Sequence, residues 1–65
     1  MEKEYLAHIV RTNSKGEQFY FFRIFCFEKV TNDIILEQEK CLKESLEYLN
    51  YDVVSVNILS LTPID

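Results

Sequence analysis

The order of apolar and polar positions divides the chain into four segments. Residues 4 to 12, Glu-Tyr-Leu-Ala-His-Ile-Val-Arg-Thr, and residues 17 to 28 are both rich in β-branched and aromatic types, and each predicts a strand. Between them, Asn13-Ser14-Lys15-Gly16 sets Asn at the first turn position and the chain's only glycine at the fourth. That spacing fits a type I turn closed by a left-handed glycine in a G1 bulge. Thr31, Asn32 and Asp33 are each suited to cap a helix, and a helical period follows over 33–49, with Asn50 suited to the left-handed position beyond its end. Ile35, Leu42, Leu46 and Leu49 fall in one narrow stripe, flanked by Ile34, Gln38, Cys41, Ser45 and Tyr48. The opposite side carries Glu37, Lys40, Glu44 and Glu47, with Glu39 and Lys43 at its border in the favourable i,i+4 order. Over 52–61 the period returns to two, with Val54, Val56 and Ile58 on one side and Val53, Ser55, Asn57, Leu59 and Leu61 on the other. Thr62-Pro63 should stop this strand and leave a short frayed tail of Ile64-Asp65.

These elements define a single domain, 1–65, of the α+β class: a two-layer ββαβ sandwich with one helix packed on one face of a three-stranded sheet. A helix that crosses back after the second strand can deliver the third strand beside strand two, in parallel, or beside strand one, antiparallel to it. The second arrangement, order 2-1-3, is favoured because an all-antiparallel sheet tolerates a face without a helix. Two hairpin registers satisfy the pattern. A bulged turn pairs Val10 with Tyr20, His8 with Phe22 and Leu6 with Ile24. A four-residue loop pairs Ile9 with Tyr20, Ala7 with Phe22 and Tyr5 with Ile24, which sets a small residue against a large one and keeps His8 off the core. The first has the better turn chemistry.

The second strand contains an anomaly. Phe19-Tyr20-Phe21-Phe22-Arg23-Ile24-Phe25-Cys26-Phe27 holds all five phenylalanines of the chain. In an extended strand, alternate side chains face opposite ways, and here both sides are apolar. Tyr20, Phe22, Ile24 and Cys26 form the uncharged side and are expected beneath the helix. Phe19, Phe21, Arg23, Phe25 and Phe27, joined by residues such as Tyr5, Ile9 or Leu59, are then expected to form an open partner-binding patch. Arginine suits such a surface because its guanidinium stacks on aromatic rings. The patch could be covered by the chain's own C-terminal segment, by a second copy in a homodimer, or by a larger protein.

Charge changes what that patch can meet. The chain has a net charge of −4, and no basic run is available to neutralise phosphates, which disfavours direct nucleic-acid binding. Glu37, Glu44 and Glu47 on the outer helix face suggest an alternative acidic surface, a nucleic-acid mimic that would block a nucleic-acid-binding enzyme, although Lys40 and Lys43 dilute it. Bases stacked on the aromatic sheet are a further variant.

Chemistry is sparse. His8 is the only histidine, and in the favoured register it faces the core as a hydrogen-bonded structural residue. Cys26 and Cys41 are the only cysteines; with neither a CxxC nor an HxxxH motif they make no metal set, and two neighbouring buried thiols are expected. One glycine cannot build a phosphate loop, and Ser14, Ser45, Ser55 and Ser60 have no evident base. No catalytic residues and no cofactor are assigned. No stretch reaches the roughly 20 apolar residues of a membrane span, and no leader pattern is present, so a cytoplasmic protein is expected. In size, acidity and lack of catalytic residues the chain looks like the small inhibitors and adaptors often encoded by phages and mobile elements. The sequence thus implies a non-catalytic protein-interaction module.

Overall fold

The computed structural model describes residues 1–64 of the chain. Three strands and a helix follow in the order β1 (Lys3–Thr12), β2 (Gln18–Phe27), α1 (Asn32–Tyr48) and β3 (Ser55–Pro63). The strands form one antiparallel sheet, β2-β1-β3, with α1 on one face. This is the ββαβ arrangement that the alternation of periods implies.

The hairpin takes the register of the bulged turn, with Val10 opposite Tyr20, His8 opposite Phe22 and Leu6 opposite Ile24. Its geometry follows from two residues. Gly16 adopts φ 81° without a Cβ to obstruct it, and its N–H donates to the Asn13 carbonyl at 3.1 Å. The Asn13 side chain accepts the N–H groups of Lys15 (3.0 Å) and Glu17 (2.9 Å), holding the turn in shape before the strands begin. Ser14 at the tip donates from its hydroxyl to Asp52, which ties the turn to the loop that precedes β3.

Thr31 is the N-cap of α1; its hydroxyl oxygen accepts the Ile34 N–H at 3.2 Å. At the other end Asn50 stands at φ 67°, and Asn50 N–H and Tyr51 N–H donate to the carbonyls of Glu47 and Leu46, the paired bonds of a Schellman ending. The helix packs mainly over β3 and the middle of the sheet. Leu42 is buried and Leu46 half-buried, whereas Leu49, predicted in the same stripe, is exposed with Tyr48, Cys41 and Ser45. The helix leans towards β3, so the flank nearest β2 stays open.

β3 begins later and ends later than its period implies. Val53 is buried ahead of the strand, and pairing continues to Pro63 opposite Tyr5. Pro63 is tolerated because it lies at the end of an edge strand where its missing N–H would face away from β1. Ile64 N–H still donates to the Glu4 carbonyl at 3.1 Å, so this part of the expected frayed tail is tied down; Asp65 lies outside the described residues. A bulge shifts the register between His8 and Ile9, where Ile58 and Leu59 meet the β1 backbone. The extra residue brings both Val56 and Ile58 before it, and Leu61 after it, to the helix side.

One expectation is reversed: the face that the helix covers. Ala7, Ile9, Leu42, Val53 and Val56 form the core, with Phe21, Phe25, Leu46, Ile58 and Leu61 packed against it. Phe21, Phe25 and the buried Phe27 therefore lie on the helix side, and Tyr20, Phe22 and Ile24 on the open one. The central strand decides this. Ala7 and Ile9, each 0% exposed, offer the helix a close approach and a full apolar contact, while the alternative β1 face would bury the imidazole of His8. Arg23 is accommodated on the covered side because its end of the groove remains exposed.

The open sheet face as candidate functional site

On the face away from α1, β1 contributes Leu6, His8 and Val10, and β2 contributes Tyr20, Phe22, Ile24 and Cys26. The hairpin register sets these side chains in adjacent rows. His8 stacks on Phe22, with ring centroids 4.6 Å apart and planes 15° apart, and leans on Tyr20 at 5.7 Å. His8 is thus part of the aromatic surface, not of the core. Across β1, the same face continues into Ser60 opposite His8, Thr62 opposite Leu6, Asn57 opposite Val10 and Ser55 opposite Thr12. Its apolar centre is consequently bordered on the β3 side by hydroxyl and amide groups.

Its exposure is large. Tyr20 is 59%, Phe22 63% and Ile24 56% exposed, and Leu6 is also exposed. Glu4, opposite Cys26 at one end, is the carboxylate in these rows; the arginines of the strands point the other way. Arg11 places its guanidinium 4.4 Å from the Phe19 ring centroid and 5.0 Å from that of Tyr51, closing one end of the helix-side layer. Phe27 closes the other end, 6.1 Å from Tyr5 and 5.5 Å from Phe25 between ring centroids.

The residues expected to bind a partner therefore divide. Phe21, Phe25 and Phe27 belong to the helix-side packing, Phe19 is under Arg11, and Arg23 lines a groove of about 320 Å³ between α1 and β2 with Phe25, Gln38, Cys41, Leu42 and Ser45. The sequence signal for the true open face was the alternation in β1, where Ala7 and Ile9 face one way and His8 the other.

Glu37, Glu44 and Glu47 are exposed on α1, as expected. Lys43 pairs with Glu47 at 3.8 Å rather than with Glu39. Glu39 instead turns to the sheet, where its carboxylate accepts the backbone N–H of Ile58 at 2.7 Å. Glu44 borders a shallow depression of about 460 Å³ with Cys41, Ser45, Tyr48 and Leu49. The two cysteines are free and exposed, Cys26 on the open face and Cys41 on the helix, so the sheet separates them and they are not the buried pair expected.

Among the described residues, no group of three or more His, Cys, Asp or Glu side chains could hold a metal ion, and no helix is long and apolar enough to cross a membrane. No family model, curated protein or solved structure matches the chain.

Proposed function

We propose that this chain is a non-catalytic protein-interaction module, an inhibitor or adaptor that acts by contact through the open face of its sheet. The observation that carries this reading is the uncovered cluster of Leu6, His8, Tyr20, Phe22 and Ile24. Fully burying one such large side chain contributes roughly 1.5 to 3 kcal/mol, so Tyr20, Phe22 and Ile24, each more than half exposed, together offer a partner a favourable apolar contribution to association. The face calls for a larger protein that presents an apolar, weakly charged surface. Stacked bases are a poorer match, because the guanidinium groups that would meet phosphates lie on the helix side, engaged by Phe19 or in the groove beside Phe25.

The test compares three baits, wild type, Phe22→Ser and Glu44→Lys, in extracts of the native host. Proteins retained by wild type and Glu44→Lys but lost from Phe22→Ser support the sheet face. Loss from Glu44→Lys alone would move the function to the acidic helix and overturn this reading.

A further inference from the structure

The two edges of the sheet are not equivalent. At the β3 edge, the Glu39 carboxylate occupies the Ile58 N–H, a bulge interrupts the ladder at Leu59, and Pro63 ends the strand. Each of these is a recognised means of preventing a further strand from joining. The β2 edge has none of them. Gln18–Phe27 runs for 10 residues in unbroken register with β1, with neither proline nor bulge, and its one charged residue, Arg23, projects to the helix side.

The hydrogen-bonding direction of β2 can be read from its turn. Asn13 N–H donates to the Glu17 carbonyl, so the bonded pairs with β1 fall on Phe19, Phe21, Arg23, Phe25 and Phe27. Gln18, Tyr20, Phe22, Ile24 and Cys26 accordingly direct both N–H and C=O outwards from the sheet. The residues that form the open aromatic face are the same ones that carry the unpaired backbone.

From this edge we infer that two copies of the chain pair through β2, antiparallel, about a twofold axis normal to the sheet at Phe22, to give one continuous six-stranded sheet. The inference deepens the contact reading above by naming a second copy as one partner. A twofold axis of this kind keeps both helices on one side and joins both open faces on the other. Only registers that pair outward-facing residues with each other close the ladder. With Phe22 on the axis, Tyr20 meets Ile24 of the second copy and Gln18 meets Cys26, which uses all five outward donors and acceptors. On the helix side Arg23 then lies opposite Phe21 of the second copy, a guanidinium over a ring. A shift by one repeat in one direction would set Arg23 directly against its own symmetry mate, and like charges opposed across strands are unfavourable. The opposite shift would leave Cys26 beyond the partner strand.

Shape and area agree with a missing neighbour. The radius of gyration is 12.3 Å, against about 11 Å for a compact chain of this length. The exposed surface is 4857 Å², against about 4400 Å² for a monomer of this mass. The surplus is more than half of the roughly 800 Å² that each partner contributes to a standard interface.

Sedimentation equilibrium across a wide concentration range should give twice the 7.8 kDa chain mass. Phe22→Pro removes the N–H at the axis without removing a bond to β1, and should return a monomer with an unchanged circular dichroism spectrum. Should that variant fail to fold, Ile24→Lys, which keeps the backbone and places charge beside the axis, must lower the mass by the same factor of two. Register is tested by Gln18→Cys in a Cys41→Ser background. Positions 18 and 26 of one strand are some 26 Å apart, so an oxidised crosslink between them forms only between two copies, and Cys41→Ser alone should not crosslink. A wild-type monomer at high concentration, or a dimer that both edge variants leave intact, overturns the inference. A monomer whose bait experiment still depends on Phe22 would leave the contact reading standing without the dimer; a dimer whose bait experiment is indifferent to Phe22 would do the reverse.

Discussion

The two faces of β2 carry similar side chains and meet opposite fates. Phe21 and Phe25 pack against the core that Ala7, Ile9 and Leu42 form, and Phe27 is buried beside Tyr5 and Phe25, whereas Tyr20, Phe22 and Ile24 on the other face remain in water. Nothing intrinsic to β2 accounts for the difference. β1 has neighbours on both sides, so the face that it offers is the one on which the helix settles, and β2 follows through its register. An edge strand inherits its inside and outside from the strand at the centre.

The sharpest way to break this comparison is to truncate equivalent residues on the two faces. Ile9→Ala should lower the stability of the chain by about 2 to 5 kcal/mol, since it opens a cavity at a fully buried site. Ile24→Ala should cost well under half as much in dilute protein; urea denaturation of both variants reads the contrast, and equal losses would mean that the open face is covered in solution. Next in size is Glu39→Ala, which leaves the Ile58 N–H unpaired and should cost about 1 to 3 kcal/mol. Static light scattering on the same variant should show slow association, because the change also frees part of the β3 edge. Phe22→Ser should change thermal stability by about 0.5 to 1 kcal/mol through loss of the His8 stack, yet abolish partner binding. Smallest of all is Glu44→Lys on the exposed helix face, expected within about 0.5 kcal/mol in a thermal melt and without effect on binding.

The fold was legible in the sequence where its signals are local. Asn13 and Gly16 specify the turn and with it the register, Thr31 and Asn50 specify the ends of the helix, and the change of period separates α1 from β3. What was not legible depends on comparison between strands. The charge of Arg23 points to the outer face by sequence alone, but an arginine at the margin of a helix keeps its guanidinium wet, while His8 in the middle of β1 is costlier to bury than Ala7. The bulge in β3 was hidden because Val56 and Ile58 continue a perfect alternation; only the need to bring Leu61, three residues on, to the same side reveals it. Glu39 read as a surface charge because its partner is a backbone group nineteen positions away.

The bond from Ser14 to Asp52 joins the tip of the β1–β2 hairpin to the loop that launches β3, across 38 residues of sequence. The Ser14 amide is directed at the same carboxylate at 3.3 Å. Its protection from deuterium exchange therefore depends on β3 being seated, whereas the amides of Lys15 and Glu17, held by Asn13, depend on the hairpin alone. Neighbouring amides in one turn thus serve as separate reporters, one for local opening of the hairpin and one for release of the C-terminal strand.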